Sequence, residues 1–214
     1  MFAGKDKPFA NFGVKLTMTI QQYPELFEAG TDWQMNACLN FMDDMSYGYI
    51  EGYLRAADRL VEHIAETARD QDLFVYPIAF MYHQHIELQL KKIIDTGRKL
   101  LTNNGGHPTN HNLHDLWPQA KGILRQTWPN EPDPDEFKLI DHFVDQFSKV
   151  DRVSTAFRFP TQIAGNSSLH GVRHINLGNL AECVHSFSGF LDGATSGLID
   201  YLDHKRECER DRLY

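Results

Sequence analysis

Eleven of the 214 residues are histidine, the side chain whose proton exchanges nearest neutral pH. His83 and His85 lie two apart in a helical stretch. They therefore point in directions roughly 200° apart and do not converge on one metal ion. Glu87 is four residues beyond His83 and shares its face, as an ion pair or hydrogen bond requires. His107, His111 and His114 come closer to a metal-ligand spacing, because His111 and His114 meet on one helical turn. Only Asp115 could join them, and it points elsewhere. Capping or hydrogen bonding is therefore the better reading, and no metal site is expected. The richest segment is a connection carrying Arg158, His170, Arg173 and His174, with Ser167 and Ser168 between them. Two guanidinium groups and two hydroxyls could hold a phosphate. A histidine with a nearby cation is also what acid–base cleavage of RNA needs. The residues that could form such a catalytic set are Arg158, His170, His83 and His114, with Glu87, Arg173 and His174 as ligand contacts. The plainer alternative pairs Arg158 with a carboxylate such as Asp151, which would pin the connection to the body.

Other chemistries find no support. The chain has no Gly-x-Ser-x-Gly nucleophile turn, no phosphate-binding Gly-x-x-x-x-Gly-Lys-Ser/Thr loop and no Gly-x-Gly-x-x-Gly dinucleotide fingerprint. No cofactor is expected. Cys183 lies beside an apolar seam and reads as core material.

The elements that must position these side chains are helices. Helical patterning begins near Trp33 and is clear from Tyr47, where Ile50, Tyr53, Leu54, Ala57, Leu60, Val61 and Ile64 recur three and four apart. After a break at Asp70-Gln71-Asp72, Asp72 is placed to cap a second helix. Pro77 is tolerable there if it falls near the first turn. This helix runs to about Leu101 and is apolar over much of its circumference, through Phe74, Ile78, Met81, Leu88, Leu90, Ile93 and Ile94. Such a helix occupies the centre of a bundle. Asn103-Asn104-Gly105-Gly106 stops it. A third helix is expected from Leu113 to Thr127, burying Leu116, Trp117, Ala120, Ile123 and Leu124. A fourth follows three prolines, capped by Asp133 or Asp135 and apolar at Phe137, Ile140, Val144, Phe147 and Val150. Residues 152–175 have no helical period and read as a long loop or short hairpin. Asn176 caps the last helix, whose seam of Leu177, Leu180, Val184, Phe187, Leu191, Ala194, Leu198 and Tyr201 serves either as the spine of the bundle or as a dimer face. The fold expected is all-α: an antiparallel bundle of about five helices, with an irregular N-terminal arm over residues 1–32, a body over 33–206, and a charged, frayed tail over 207–214.

A net charge of −8 confines any nucleic-acid binding to a local basic patch. The three cysteines are odd in number and far apart, as free thiols in a reducing compartment are. There is no apolar run of about 18 residues to cross a membrane and no signal-peptide core, so the cytoplasm is the expected location.

Four short stretches together carry a family resemblance. Tyr76-Pro77-Ile78 with Met81-Tyr82-His83-Gln84-His85-Ile86-Glu87-Leu88-Gln89-Leu90-Lys91 resembles the second core helix of HEPN domains. His114-Asp115-Leu116-Trp117 resembles the start of their next helix. Phe157-Arg158-Phe159-Pro160 is similar to a Phe-Arg-Tyr-Pro element of one bacterial branch, and Ile175-Asn176-Leu177 with Phe190-Leu191-Asp192-Gly193 to the last helix there. The resemblance spans roughly residues 45–205. It implies an all-α bundle, a homodimer, nucleotide or RNA binding, a protein partner from the same operon, and roles in toxin–antitoxin pairs or phage defence. Ribonuclease members carry Arg-x(4–6)-His. This chain departs from that, since Arg59 and His63 are too close and Arg158 and His170 too far apart. His83-Gln84 stands where many relatives have Arg-His. The resemblance therefore implies a binding module first, and a ribonuclease with a rebuilt Arg/His site second.

Overall fold

The computed structural model describes residues 25–152 and 154–212; most of the expected N-terminal arm lies outside them. The chain divides into two compact units, one ending at Phe41 and one beginning at Met42. Among the described residues of the first, the helical structure is a 3-10 turn at Trp33–Met35, although helical patterning is legible there. Gly30 and Asn36 exchange two hydrogen bonds, at 2.8 and 2.9 Å.

The second unit is an all-α bundle of five helices: α1 Ser46–Thr67, α2 Gln71–Thr102, α3 Leu113–Thr127, α4 Asp135–Val150 and α5 Leu177–Asp211. Among the described residues no helix is long and apolar enough to cross a membrane. α2 is central, as expected, and touches α1, α3 and α5. Ile78, Tyr82, Ile86, Leu90, Ile93 and Ile94 are fully buried along it. α1 turns back onto α2 antiparallel, with Ile50 facing His85 and His63 facing Phe74. α5 lies beside α2 in the same direction, since His85 meets Ser188 while Lys205 reaches the carbonyl of Leu100 at 2.7 Å. That direction is possible because α3, α4 and the connection after them return the chain to its starting end. The seam of α5 is the spine: Val184, Phe187, Leu191 and Leu198 are fully buried. Of its length only Tyr201 is open, at 48% exposure. The α2–α3 crossing is close because Gly97 has no side chain; a Cβ there would sit 2.1 Å from Cγ2 of Ile123.

Several local expectations are corrected. Asp72 is not the cap of α2 but part of its first turn. Asp70 occupies the cap position in a left-handed conformation, φ 65°, with no side-chain bond. The link from α1 is so short that backbone geometry takes over, and Asp70 O itself receives the N–H groups of Leu73 and Phe74. Pro77 falls beyond the first turn, on the exposed face, where the hydrogen bond it removes costs the buried core nothing. The position before α4 is held by Pro134, with no side-chain cap, rather than by an aspartate; Asp133 instead pairs with Arg125, and Asp135 with Lys138. The described part of the tail is helical rather than frayed, for α5 runs on to Asp211. Asn176 does cap α5, accepting from Asn179 N at 2.9 Å, and Asn112 caps α3 in the same manner. The connection between α4 and α5 contains one isolated bridge, Thr161 to Ser167. It is closed by Gln162 N to Asn166 O at 2.8 Å and Ser168 N to Pro160 O at 3.1 Å.

Candidate functional site

The centre of α2 is less apolar than the sequence pattern suggests. Five alternate positions, His83, His85, Glu87, Gln89 and Lys91, are polar and buried. Steps of two along a helix place them on two faces. His85 and Gln89 face α1 and α5, and His83, Glu87 and Lys91 face the α4–α5 connection and the start of α3.

The first face is structural glue. His85 Nδ1 lies 3.0 Å from the carbonyl of Ile50, so it carries the proton and donates. Nε2 is then an acceptor for the hydroxyl of Ser188. Gln89 donates to Ser188 O at 3.3 Å. Burial pushes the His85 imidazole below its ordinary value of 6.5, opposed by the Ile50 carbonyl. The neutral ring thus joins three helices through both nitrogens.

The second face is the more unusual. Glu87, with 1% of its side chain exposed, receives Lys91 Nζ at 2.8 Å; Lys91 itself is only 8% exposed. The same oxygen, Oε1, lies 2.8 Å from Nδ1 of His111, which stands 62% exposed above it. The other oxygen, Oε2, is buried without any hydrogen-bond partner among the described residues. Nδ1 of His83 lies 4.0 Å from it. That nitrogen bonds instead to Ser154 Oγ at 3.1 Å. Ser154 holds a left-handed backbone, φ 58°, a conformation that costs a residue with a Cβ about 1–3 kcal/mol. Beside it, Asp151 is buried and accepts from Thr155 N at 2.8 Å. Burial pushes His83 below its ordinary value of 6.5, with Glu87 and Asp151 pulling the other way and His111 adding to the depression. The ring is thus a neutral strut between α2 and the connection. It does not work as a serine–histidine–acid relay, because serine and acid both approach Nδ1 rather than opposite nitrogens.

Arg158 projects from the same connection. It does not pair with Asp151. Its guanidinium lies 5.4 Å from the ring of Phe80 and 5.3 Å from that of Phe159, and it makes no ion pair among the described residues. Stacking on two aromatic rings sets the direction of the fork and leaves its edge donors open. Beside it is a cleft of about 370 Å³ lined by Tyr76, Arg158, Phe159, Ser167 and Ser168, among others. Tyr76 is 47% exposed and Phe159 51% exposed.

The residues singled out from the sequence therefore separate. Arg158 and His83 both meet α2, one turn apart, but Arg158 is exposed and His83 is sealed. His170 is exposed and lines a neighbouring cleft with Lys149 and Gln162. His174 lines another, between α4 and the first turn of α5, with His142 and Asn176. Arg173 is exposed. His114 is exposed on the first turn of α3, where its charge reaches Asp145 of α4. Glu87 is a buried pairing residue and not an exposed ligand contact. No group of three or more metal-ligating side chains is assembled among the described residues. Sequence reading missed Lys91, Ser154 and Tyr76. For Lys91 a signal existed, since an amine four residues after a carboxylate in an apolar helix implies a buried pair. For Ser154 none did.

Fold and site together define an all-α bundle whose central helix carries sealed polar struts, with one open cation beside an aromatic cleft. The chain matches no protein-family model, no curated protein and no solved structure.

Proposed function

We propose that this chain is a HEPN-like helical module that binds a nucleotide or RNA without cleaving it. It acts as a homodimer, alongside a protein partner from its own operon, in a bacterial defence or toxin–antitoxin setting. The observation that supports the reading is Arg158. Its guanidinium is oriented by Phe80 and Phe159 and keeps its donors free, beside Tyr76, Ser167 and Ser168. A cation for phosphate, aromatic faces for a base and hydroxyls for sugar or phosphate are the components of a sequence-tolerant nucleic-acid contact. Cleavage would need a histidine able to reach the same substrate; His83 is sealed and tied to Ser154, and His170 lines a neighbouring cleft rather than the one beside Arg158.

The test is titration of the protein with adenosine monophosphate and with a short single-stranded RNA, followed by calorimetry. Loss of a charge-assisted contact worth about 1.5–3 kcal/mol predicts that Arg158→Ala weakens binding roughly 10- to 100-fold. Wild-type protein that binds neither probe would overturn the reading. Expression in bacteria decides the alternative. Growth arrest with fragmented RNA, abolished by Arg158→Ala and by His170→Ala, would make the chain a ribonuclease with a non-standard site.

A further inference from the structure

We propose that His83 is an acid-operated latch on the connection that carries Arg158: on protonation its Nδ1 leaves Ser154 for the unpartnered Oε2 of Glu87, and the segment from Ser154 onward comes loose from α2. The regulatory consequence rests on the binding role proposed above; the latch itself does not.

The geometry supplies both positions of the ring. In the closed position Nδ1 is 3.1 Å from Ser154 Oγ. In the other, an acceptor already waits 4.0 Å away, an oxygen of Glu87 that is buried and has no hydrogen-bond partner among the described residues. A buried oxygen without a partner is uncommon in folded proteins and calls for a cause. Here the cause is that Lys91 and His111 both take Oε1, leaving Oε2 aimed toward the histidine. The charged groups around the ring act together. Glu87 and Asp151 favour a proton on His83, and His111 opposes it. Lys91 balances one carboxylate charge and leaves room for a second cation.

A neutral ring accepts from, or donates to, a hydroxyl equally well. A charged ring donates from both nitrogens, and its bond to a carboxylate is much the stronger. The proton comes from solvent, adds to the ring nitrogen, and is then shared with Oε2; no covalent bond breaks. Ser154 has its own reason to leave, because its left-handed backbone, φ 58°, is a costly conformation for a residue with a Cβ. Burial sets the trigger below the ordinary histidine range, so the latch is closed at neutral pH. The pull acts on one strut and not on the bundle, since the parallel strut at His85 joins α1, α2 and α5 and leaves the connection untouched.

Amide hydrogen exchange on the full chain, at pH 7.5 and pH 5.5 and corrected for intrinsic rates, reads the latch directly and needs no ligand. In wild type, amides of residues 154–170 exchange faster at pH 5.5, and their acceleration exceeds that of α2 and α5 by at least tenfold. In Glu87→Gln, which keeps the shape and removes the carboxylate, the acceleration is lost. Ser154→Ala, which removes only the hydroxyl, gives fast exchange of the segment at both pH values. The proposal is overturned by a segment indifferent to pH in wild type, by an acceleration that survives in Glu87→Gln, or by an acceleration in α2 and α5 as large as that of the segment. If Glu87→Gln does not fold, a Ser154→Ala chain whose segment stays as protected as wild type at pH 7.5 overturns it equally. A protein that shows the latch but binds neither nucleotide nor RNA would refute the binding role alone.

Discussion

Replacing Lys91 by Met tests whether the Glu87–Lys91 pair holds the bundle or merely decorates it. Methionine matches lysine in helix propensity and in the length of its apolar stem, so the change removes little besides the charge. The two side chains are 1% and 8% exposed and 2.8 Å apart. Removing one partner of a buried ion pair strands the other, at a cost of about 3–5 kcal/mol. His111 remains on Oε1, but it is 62% exposed, and a solvent-facing pair of that kind restores at most about 1 kcal/mol. The expected loss is therefore about 2–4 kcal/mol. In a chain of this size that corresponds to a fall in Tm of roughly 4–16 °C. Urea unfolding followed by circular dichroism measures it, and the slope should not change, because the surface exposed on unfolding is the same. The companion variant, Glu87→Leu with Lys91→Met, removes both charges and should return to within about 1 kcal/mol of wild type. A single variant that loses less than 1 kcal/mol, or a double variant no better than the single, would refute the reasoning.

Two further outcomes follow from the packing. Gly97→Ala should lower stability by about 1–3 kcal/mol in urea unfolding, outweighing the gain of up to about 1 kcal/mol from helix propensity, because its Cβ meets Ile123 Cγ2 at 2.1 Å. Ile123→Leu in the same chain removes that methyl and should recover part of the loss. Stability should also fall as pH drops below about 6.5, since His83 and His85 are held below that value in the folded chain. The unfolded chain then binds protons that the folded one refuses, so stability is complete above that pH and declines beneath it. Denaturation midpoints from pH 7.5 down to 5 would show the slope, and a flat profile would contradict the burial of the two rings.

The helical architecture was legible because apolar spacing is a local property. Ile50, Ala57 and Ile64 fall on one side of α1 by arithmetic alone, and Asn176 sits where its side chain can reach the next turn. Caps were less legible. Asp72 and Asp133 are good capping residues by type, yet the α1–α2 link is too short for one, and Arg125 claims the other. The site was hardest to read. His83 and Arg158 were singled out, but their roles depend on groups far along the chain. Ser154 is 71 residues from His83, and no spacing rule joins them.

The sequence by itself determined that this chain would close as helices around a long central one, since periodicity and breakers act within a few residues of each other. Only the tertiary structure decided which polar residues of that central helix are sealed and which cation stays open. Burial and hydrogen bonding between distant segments are set by how the helices stack. The parallel course of α5 beside α2, with the connection returning past His83, is what removes one histidine from water and leaves Arg158 in it.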